Sequence, residues 1–216
     1  MTYFVVDVET SCLNPFEPDP FLFTVGVVPV SQGGNILYND IFYKRIWNFL
    51  PEEWYDDTME TENKTLIWWR QQNTEAKMEA WLDLQKQRFP MSKVAGDLSD
   101  WVKHIEPDPT QRFVAANPSY FDKMWIEWMY TLEGFQSPFH YRTLCLRSMH
   151  FGIDDEDEFG KSREGHKPEI EHVAWHDAVA EAKDLQDMID FKKSIPSPRT
   201  YGAFRKFLEK NDRPDG

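Results

Sequence analysis

Two carboxylates, Asp7 and Glu9, stand two residues apart near the start of the chain. The apolar residues around them, in residues 3–8, predict a strand that ends in a turn. Side chains two apart on a strand project from the same face, so both carboxylates point the same way. Two like charges at the end of a buried strand are unfavourable unless a cation compensates them, and such oxygen ligands suit Mg²⁺ or Mn²⁺. A strand that runs out into a solvated loop explains the pair equally well.

Three further polar residues have the chemistry to join such a site. Asp122 falls in the first turns of a predicted helix, just after a predicted core strand, where sites form in α/β proteins; a helix-start acid favoured by the helix dipole is the other interpretation. His172 and Asp177 are separated by four residues at the start of the last predicted helix. Histidine exchanges protons near neutral pH, which suits a general base. His166 and His176 compete with His172 for that role.

The elements that must position these residues follow from turn residues and hydrophobic periodicity. A Gly-Gly turn between the second and third predicted strands indicates an antiparallel three-strand meander, and later apolar stripes at helical spacing complete an α/β pattern. The predicted strands are residues 3–8, 21–30, 36–43 and 112–116, with a brief strand and a helical turn within residues 141–149. The predicted helices are a short one from Leu66, one capped by Thr74 that carries Met78, Trp81, Leu82 and Leu84, and three more over residues 91–105, 117–131 and 173–192.

Composition limits the class of protein. The chain has 216 residues, so we expect one compact domain over residues 1–195 and a tail over residues 196–216 that docks as a short helix. Two cysteines give no disulfide framework, and the start lacks a charged leader, so we expect a cytoplasmic protein, in the host cytoplasm if it is viral. The net charge of −13 disfavours a broad electrostatic grip on a duplex. A chain of this charge can still bind nucleic acid locally, through divalent ions and the stacking of bases.

Taken in order, Asp7, Glu9, Asp122, His172 and Asp177 form a pattern. It resembles the DEDD superfamily of 3′→5′ exonucleases, in the His-containing branch, which has an Asp-x-Glu motif, a mid-chain helix Asp and a His-x-x-x-x-Asp motif in this sequence order. The resemblance covers residues 3 to about 192. Residues 65–72, with their tryptophan pair, resemble a helix of the small phage and mycobacterial exoribonuclease-like group within that branch.

The resemblance implies an RNase H-like fold with a mixed central sheet flanked by helices. It also implies hydrolysis with two Mg²⁺ or Mn²⁺ ions, which would be held by Asp7, Glu9, Asp122 and Asp177, and a general base, which would be His172. In such enzymes the residue after the Glu, here Thr10, contacts the terminal nucleotide, and an apolar wedge meets the last base. The candidates for the wedge are Phe121, Trp68 and Trp69, with core packing as the alternative role for at least one tryptophan.

The sequence leaves the substrate open among the 3′ ends of single-stranded DNA or RNA and very short oligonucleotides. A catalytically silent RNase H-like module that binds nucleic acid or protein is the alternative function. Because several enzymes of this branch are dimers, the aromatic-rich segment at residues 66–84 suggests a homodimer interface. Five successive acidic residues at 154–158 are interpreted as a solvated loop and assigned to no site.

Overall fold

A five-stranded mixed sheet forms the centre of the protein in the computed structural model, which describes residues 1–153 and 166–194. The strands are β1 Thr2–Thr10, β2 Leu22–Ser31, β3 Phe42–Arg45, β4 Arg112–Ala116 and β5 Thr143–Cys145. They lie side by side in the order β3-β2-β1-β4-β5. β1 pairs antiparallel with β2 and parallel with β4, so the first strand occupies the middle of the sheet. The acidic run at residues 154–158 and the predicted tail at residues 196–216 lie outside the described residues.

Helices connect and cover the strands. The α-helices of the described ranges are α1 Lys64–Arg70, α2 Thr74–Lys77, α3 Met91–Ile105, α4 Ser119–Leu132, α5 Leu146–Ile153 and α6 Ala174–Ser194. A π-helical segment at Met78–Leu82 continues α2, and short 3-10 helices occupy Tyr38–Asp40, Glu52–Trp54 and Pro109–Gln111. Within the same ranges, no helix combines the length and apolar character that a membrane span requires.

The two faces of the sheet bury different helices. Phe4, Val6 and Val8 of β1 belong to the cluster that packs against α3 and α4. Val5 belongs to the opposite cluster, which packs against α6. Because side chains alternate along a strand, Asp7 lies on the same face as Val5, beneath α6. The register of β1 therefore directs this carboxylate toward the helix that carries Asp177.

A glycine on the neighbouring strand lets α6 approach this point. Gly26 of β2 pairs with Asp7 across the sheet. A β-carbon at position 26 would lie 2.4 Å from the carbonyl oxygen of Ala174, the first residue of α6. Only a residue without a side chain permits so close a contact between strand and helix backbones. The start of α6 is thus held directly over the Asp7–Gly26 pair.

Two predicted elements have other bounds in the structure. The third strand pairs antiparallel with β2 as predicted, but it covers Phe42–Arg45 and not residues 36–43. Ile36 makes an isolated bridge and Tyr38–Asp40 form a 3-10 helix, because asparagine and aspartate favour turns over strands. The predicted helix to Leu84 ends at residue 82, and the Leu84 side chain is exposed.

The cap of that helix was also predicted wrongly, by one residue. The side chain of Asn73, not that of Thr74, caps α2 and accepts a hydrogen bond from the backbone N–H of Ala76. Both residue types serve as N-caps, so the local sequence alone does not choose between them.

Candidate active site

The end of β1 is buried and carries both carboxylates of the first motif. Glu9 and Thr10 lie within β1, and each is only 7% exposed. The Oδ2 atom of Asp7 is buried and has no hydrogen-bond partner among the residues that the structure describes. This burial rules out the solvated-loop interpretation of the Asp7–Glu9 pair.

The first turn of α4 is attached to the same strand. The Oδ1 atom of Asp122 accepts a hydrogen bond of 3.2 Å from the backbone N–H of Val8. Asp122 is 4% exposed, so its carboxyl group points inward and not to the solvent around the helix start. The structure thus brings Asp122 to the Asp7–Glu9 end of β1, although more than a hundred residues separate them in sequence.

The segment that leads into α6 supplies the histidine and the last carboxylate. The Oδ2 atom of Asp177 accepts a hydrogen bond of 3.0 Å from the backbone N–H of Val173, which fixes the helix start. His172 has a φ of +64°, a left-handed conformation that is uncommon for residues other than glycine. Residues in such conformations concentrate at functional sites.

The positions of the three candidate histidines show which of them belongs to the site. His172 lines the same pocket as the carboxylates, and neither of its competitors does so. The ring of His166 lies 3.0 Å from Asp187 on the exposed side of α6. The Nδ1 atom of His176 accepts a hydrogen bond from the backbone N–H of Ile170. His176 therefore has a structural partner, and His172 is the imidazole available to the site.

The two tryptophans of α1 have different environments. Trp69 is 1% exposed, and its ring N–H donates a 2.9 Å hydrogen bond to the carbonyl oxygen of Thr10. It packs with Trp81 in a cluster of aromatic side chains beside β2, which is the core role predicted for at least one tryptophan. Trp68 is 40% exposed, and its ring centroid lies 4.7 Å from that of His172. Trp68 therefore supports the imidazole and also offers an aromatic surface to the pocket.

A pocket of about 490 Å³ opens where these elements meet. Its described walls carry five carboxylates, one imidazole and a single basic side chain, that of Lys64. The hydroxyl group of Thr10 already donates a hydrogen bond to the carbonyl oxygen of Cys12, so toward a ligand it is left as an acceptor. The lining residues are Asp7, Val8, Glu9, Thr10, Leu13, Lys64, Thr65, Trp68, Trp69, Asn117, Phe121, Asp122, His172, Asp177 and Glu181.

Burial controls the acidity of this cluster. It raises the pKa of Asp122 to about 8 and that of Asp177 to about 6, against the opposing effect of backbone hydrogen bonds. Burial, followed by the charges of neighbouring carboxylates, raises the pKa of Asp7 and Glu9 well above their usual range. Burial lowers the pKa of His172, which keeps its imidazole neutral at pH 7. Such a cluster requires either protons or cations to balance it.

The donor set fits hard divalent cations. Asp7, Glu9 and Asp177 each offer one carboxylate oxygen, and these atoms lie within 4.8 Å of one another. Carboxylate oxygens are the ligands that Mg²⁺ and Mn²⁺ prefer. The buried Asp7 Oδ2 atom without a described partner is the kind of orphaned acceptor that a cation satisfies.

Sequence reasoning missed several residues of this pocket. The most notable is Glu181, which lies four residues after Asp177 and therefore on the same face of α6. That spacing was a usable signal. No such spacing marked four other lining residues, which lie in loops or at the starts of helices: Leu13, Lys64, Thr65 and Asn117.

Comparison with solved structures identifies the fold. The chain superposes on cell-death related nuclease 4 (CRN-4) with a TM-score of 0.60 at 15% identity, over 88% of this chain and 64% of that one. It superposes on Escherichia coli exonuclease I in a complex with single-stranded DNA with a TM-score of 0.57 at 12% identity, over 96% and 43%. The nuclease domain of 3′hExo, a DEDDh family member solved with rAMP, gives 0.51 at 12%, over 88% and 92%. The predicted α/β, RNase H-like fold is thereby confirmed.

The family follows from the sequence itself. Residues 2–189 match the model of the 3′-5′ exoribonuclease Rv2179c-like domain, and the chain belongs to this family. Together with the structural neighbours, this confirms the predicted exonuclease superfamily. Among the curated proteins, no sequence matches the chain. The chain spans less than two thirds of CRN-4 and less than half of exonuclease I.

Proposed function

We propose that this protein is a metal-dependent 3′→5′ exonuclease that releases nucleoside 5′-monophosphates from single-stranded RNA or DNA. The observation that carries the proposal is the convergence of Asp7, Glu9, Asp122 and Asp177 with His172 around one pocket. Membership of the exoribonuclease family supports the polarity. The position of His172 supports the His-containing branch, and the tryptophan pair in α1 supports the narrower phage and mycobacterial grouping.

Two Mg²⁺ or Mn²⁺ ions complete the site in this proposal. The four carboxylates Asp7, Glu9, Asp122 and Asp177 would hold them. When bound, the ions supply positive charge that offsets the carboxylates and polarises the scissile phosphate. The silent-module alternative gives no account of these buried carboxylates, since burying like charges without a counterion is unfavourable.

His172 acts as the general base for the attacking water. Its imidazole is neutral because burial lowers its pKa, so a ring nitrogen is free to accept the proton. The water oxygen forms a bond to phosphorus, and the bond from phosphorus to the 3′ oxygen of the preceding nucleotide breaks. That oxygen takes up a proton from solvent and leaves as a hydroxyl group. The edge-on contact with Trp68 restricts the orientation of the ring during this step.

The pocket is suited to one terminal nucleotide. Its volume of about 490 Å³ lies in the range of small-ligand sites. Leu13, Trp68 and Phe121 give it apolar and aromatic surface for a base, and Thr10 gives it a hydroxyl acceptor for the sugar. A site that accepts a single terminal unit favours exonucleolytic over internal cleavage.

The homodimer and the cytoplasmic location belong to the same proposal. Within residues 66–84, Leu66, Trp69 and Trp81 are buried in the chain's own core. Ile67, Met78 and Leu84 remain partly or largely exposed and would form the apolar part of an interface. Light scattering coupled to size-exclusion chromatography measures the oligomeric state directly.

Incubation with end-labelled oligonucleotides tests the activity. Purified protein is mixed with matched single-stranded RNA, single-stranded DNA and duplex, with Mg²⁺, Mn²⁺ or EDTA. We expect 5′-labelled single strands to shorten stepwise in the presence of either metal, and EDTA to stop the reaction. Products that come from cleavage at internal positions, or shortening from the 5′ end, would contradict the proposal.

Matched variants separate this activity from a contaminant. Asp7→Asn and His172→Ala are expected to lose nearly all activity while remaining folded, and Asp7→Asn should be at least as stable as the unaltered protein in EDTA because burial raises the pKa of the carboxylate it removes. Asp187→Asn removes one carboxylate from the exposed side of α6 and should retain full activity. Equal activity in all three variants would show that the pocket does not catalyse the reaction.

A further inference from the structure

One carboxylate of the pocket lies outside the four that the exonuclease pattern contains. Glu181 follows Asp177 by one turn of α6, and both side chains face the pocket. Its Oε2 atom is buried and has no hydrogen-bond partner among the described residues. A buried carboxylate oxygen without a partner is unfavourable unless a proton or a cation compensates its charge.

The other acidic residues of the pocket are satisfied differently. Asp122 and Asp177 each accept a hydrogen bond from a backbone N–H, of Val8 and Val173 respectively. Asp7 resembles Glu181, because its Oδ2 atom is also buried and without a partner in the described part of the chain. The pocket thus contains two orphaned carboxylate oxygens, one on the sheet and one on the helix above it.

The nearby cation does not satisfy Glu181. The charge of Arg147, on α5, acts on both Asp122 and Glu181 and lowers the pKa of each, but burial outweighs it in both cases. The Arg147 side chain is exposed, and its Nε atom donates instead to the Oδ1 atom of Asn117 at 3.4 Å. The Oε2 atom of Glu181 therefore has no hydrogen-bond partner among the described residues.

The carboxylates divide into two groups. Oxygens of Asp7, Glu9 and Asp177 approach one another within 4.8 Å, and Glu181 is not part of that group. Asp122 and Glu181 line the same pocket outside that group.

We infer that Glu181 is a fifth carboxylate ligand of the metal site and contributes to holding the second divalent cation. Asp7, Glu9 and Asp177 hold the first. This inference rests on the metal dependence in the proposed function.

Calorimetric titration of MnCl₂ into the EDTA-treated and dialysed full-length protein, without nucleic acid, tests the inference. We expect two Mn²⁺ ions per chain for the unaltered protein. Glu181→Gln, which has the same shape without the charge, should keep the first ion and weaken the second by about 10- to 100-fold. Asp187→Asn removes one negative charge from the same helix and should bind Mn²⁺ as the unaltered protein does.

A second variant guards against a folding artefact. Glu181→Asp keeps a carboxylate on the same helix face, so we expect a measurable second site of reduced affinity. Two ions of unchanged affinity in Glu181→Gln would overturn the inference while leaving the exonuclease proposal intact. A single ion in the unaltered protein would overturn both the inference and the two-ion form of the proposal. Absence of any Mn²⁺ binding by the unaltered protein would instead overturn the proposed metal-dependent function, and the inference with it.

Discussion

Asp122→Asn is expected to stabilise the metal-free protein while abolishing the proposed activity. Burial raises the pKa of Asp122 from 3.8 to about 8, so at pH 7 the folded protein retains a proton that the unfolded chain has released. That difference covers about 3 pH units, each worth about 1.4 kcal/mol. Asparagine keeps an oxygen for the Val8 N–H without any proton to retain. The variant should therefore gain on the order of 4 kcal/mol at pH 7.

The dependence on pH distinguishes this cause from a general packing effect. Because the pKa is raised in the folded state, the destabilisation from Asp122 is absent below pH 3.8 and grows as the pH rises toward 8. The two proteins should thus have equal stability near pH 4 and should differ most near pH 8. In the presence of Mn²⁺ the order should reverse, since the cation binds the folded unaltered protein more tightly and stabilises it by mass action.

Urea unfolding in EDTA, followed by circular dichroism at several pH values, measures this difference. At pH 7 the gain corresponds to a rise in melting temperature of roughly 10 °C for a chain of this size. Asp187→Asn is the control, because Asp187 is exposed and its pair with His166 should contribute less than about 1 kcal/mol. A loss of stability in Asp122→Asn that is independent of pH would refute the reasoning, because the carboxylate would then be a net stabiliser of the fold.

Two other predictions concern the residues that hold the site together. Gly26→Ala should destabilise the protein by about 1–3 kcal/mol and weaken Mn²⁺ binding, because its β-carbon would displace the start of α6; thermal melts and calorimetry measure both effects. Trp69→Ala should cost about 3–5 kcal/mol as a buried aromatic deletion. Trp68→Ala should leave the melting temperature within a few degrees and raise KM. A larger loss of stability in Trp68→Ala than in Trp69→Ala would contradict a core role for Trp69 and a pocket role for Trp68.

The sequence predicted the elements whose signals are local. The alternation in β1, the short apolar run of β4 and the amphipathic stripe of α3 each specify their element without reference to the rest of the chain. The order and spacing of Asp7, Asp122 and Asp177 then sufficed to predict one shared pocket.

Features that depend on contacts between distant segments were not predictable in this way. The bounds of β3 depend on its pairing with β2, and the position of Trp69 depends on its hydrogen bond to the carbonyl oxygen of Thr10. The same applies to Gly26, whose requirement for a missing side chain comes from the backbone of α6. Glu181 is an intermediate case, because its helical spacing from Asp177 was visible but its burial was not.

The scarcity of positive charge around the pocket leads to a last prediction, about how the substrate is held. The described walls carry one basic side chain, Lys64, and Arg147 lies close enough to act on Asp122. The chain as a whole has a net charge of −13. These two basic side chains can release counterions from at most about two phosphates of a single strand. The slope of log Kd against log salt should therefore be near 1.4.

Fluorescence polarisation with a labelled single-stranded oligonucleotide, in Ca²⁺ to limit cleavage, measures this slope between about 50 and 200 mM NaCl. Lys64→Met and Arg147→Met should each lower it by about 0.7, whereas Trp68→Ala should weaken binding without changing the slope. A shallow slope follows from a site in which base stacking and the bound cations, not surface lysines and arginines, hold the terminal nucleotide. A slope above about 3 would require a basic surface that the described residues around the pocket do not form, and it would contradict this account of substrate binding.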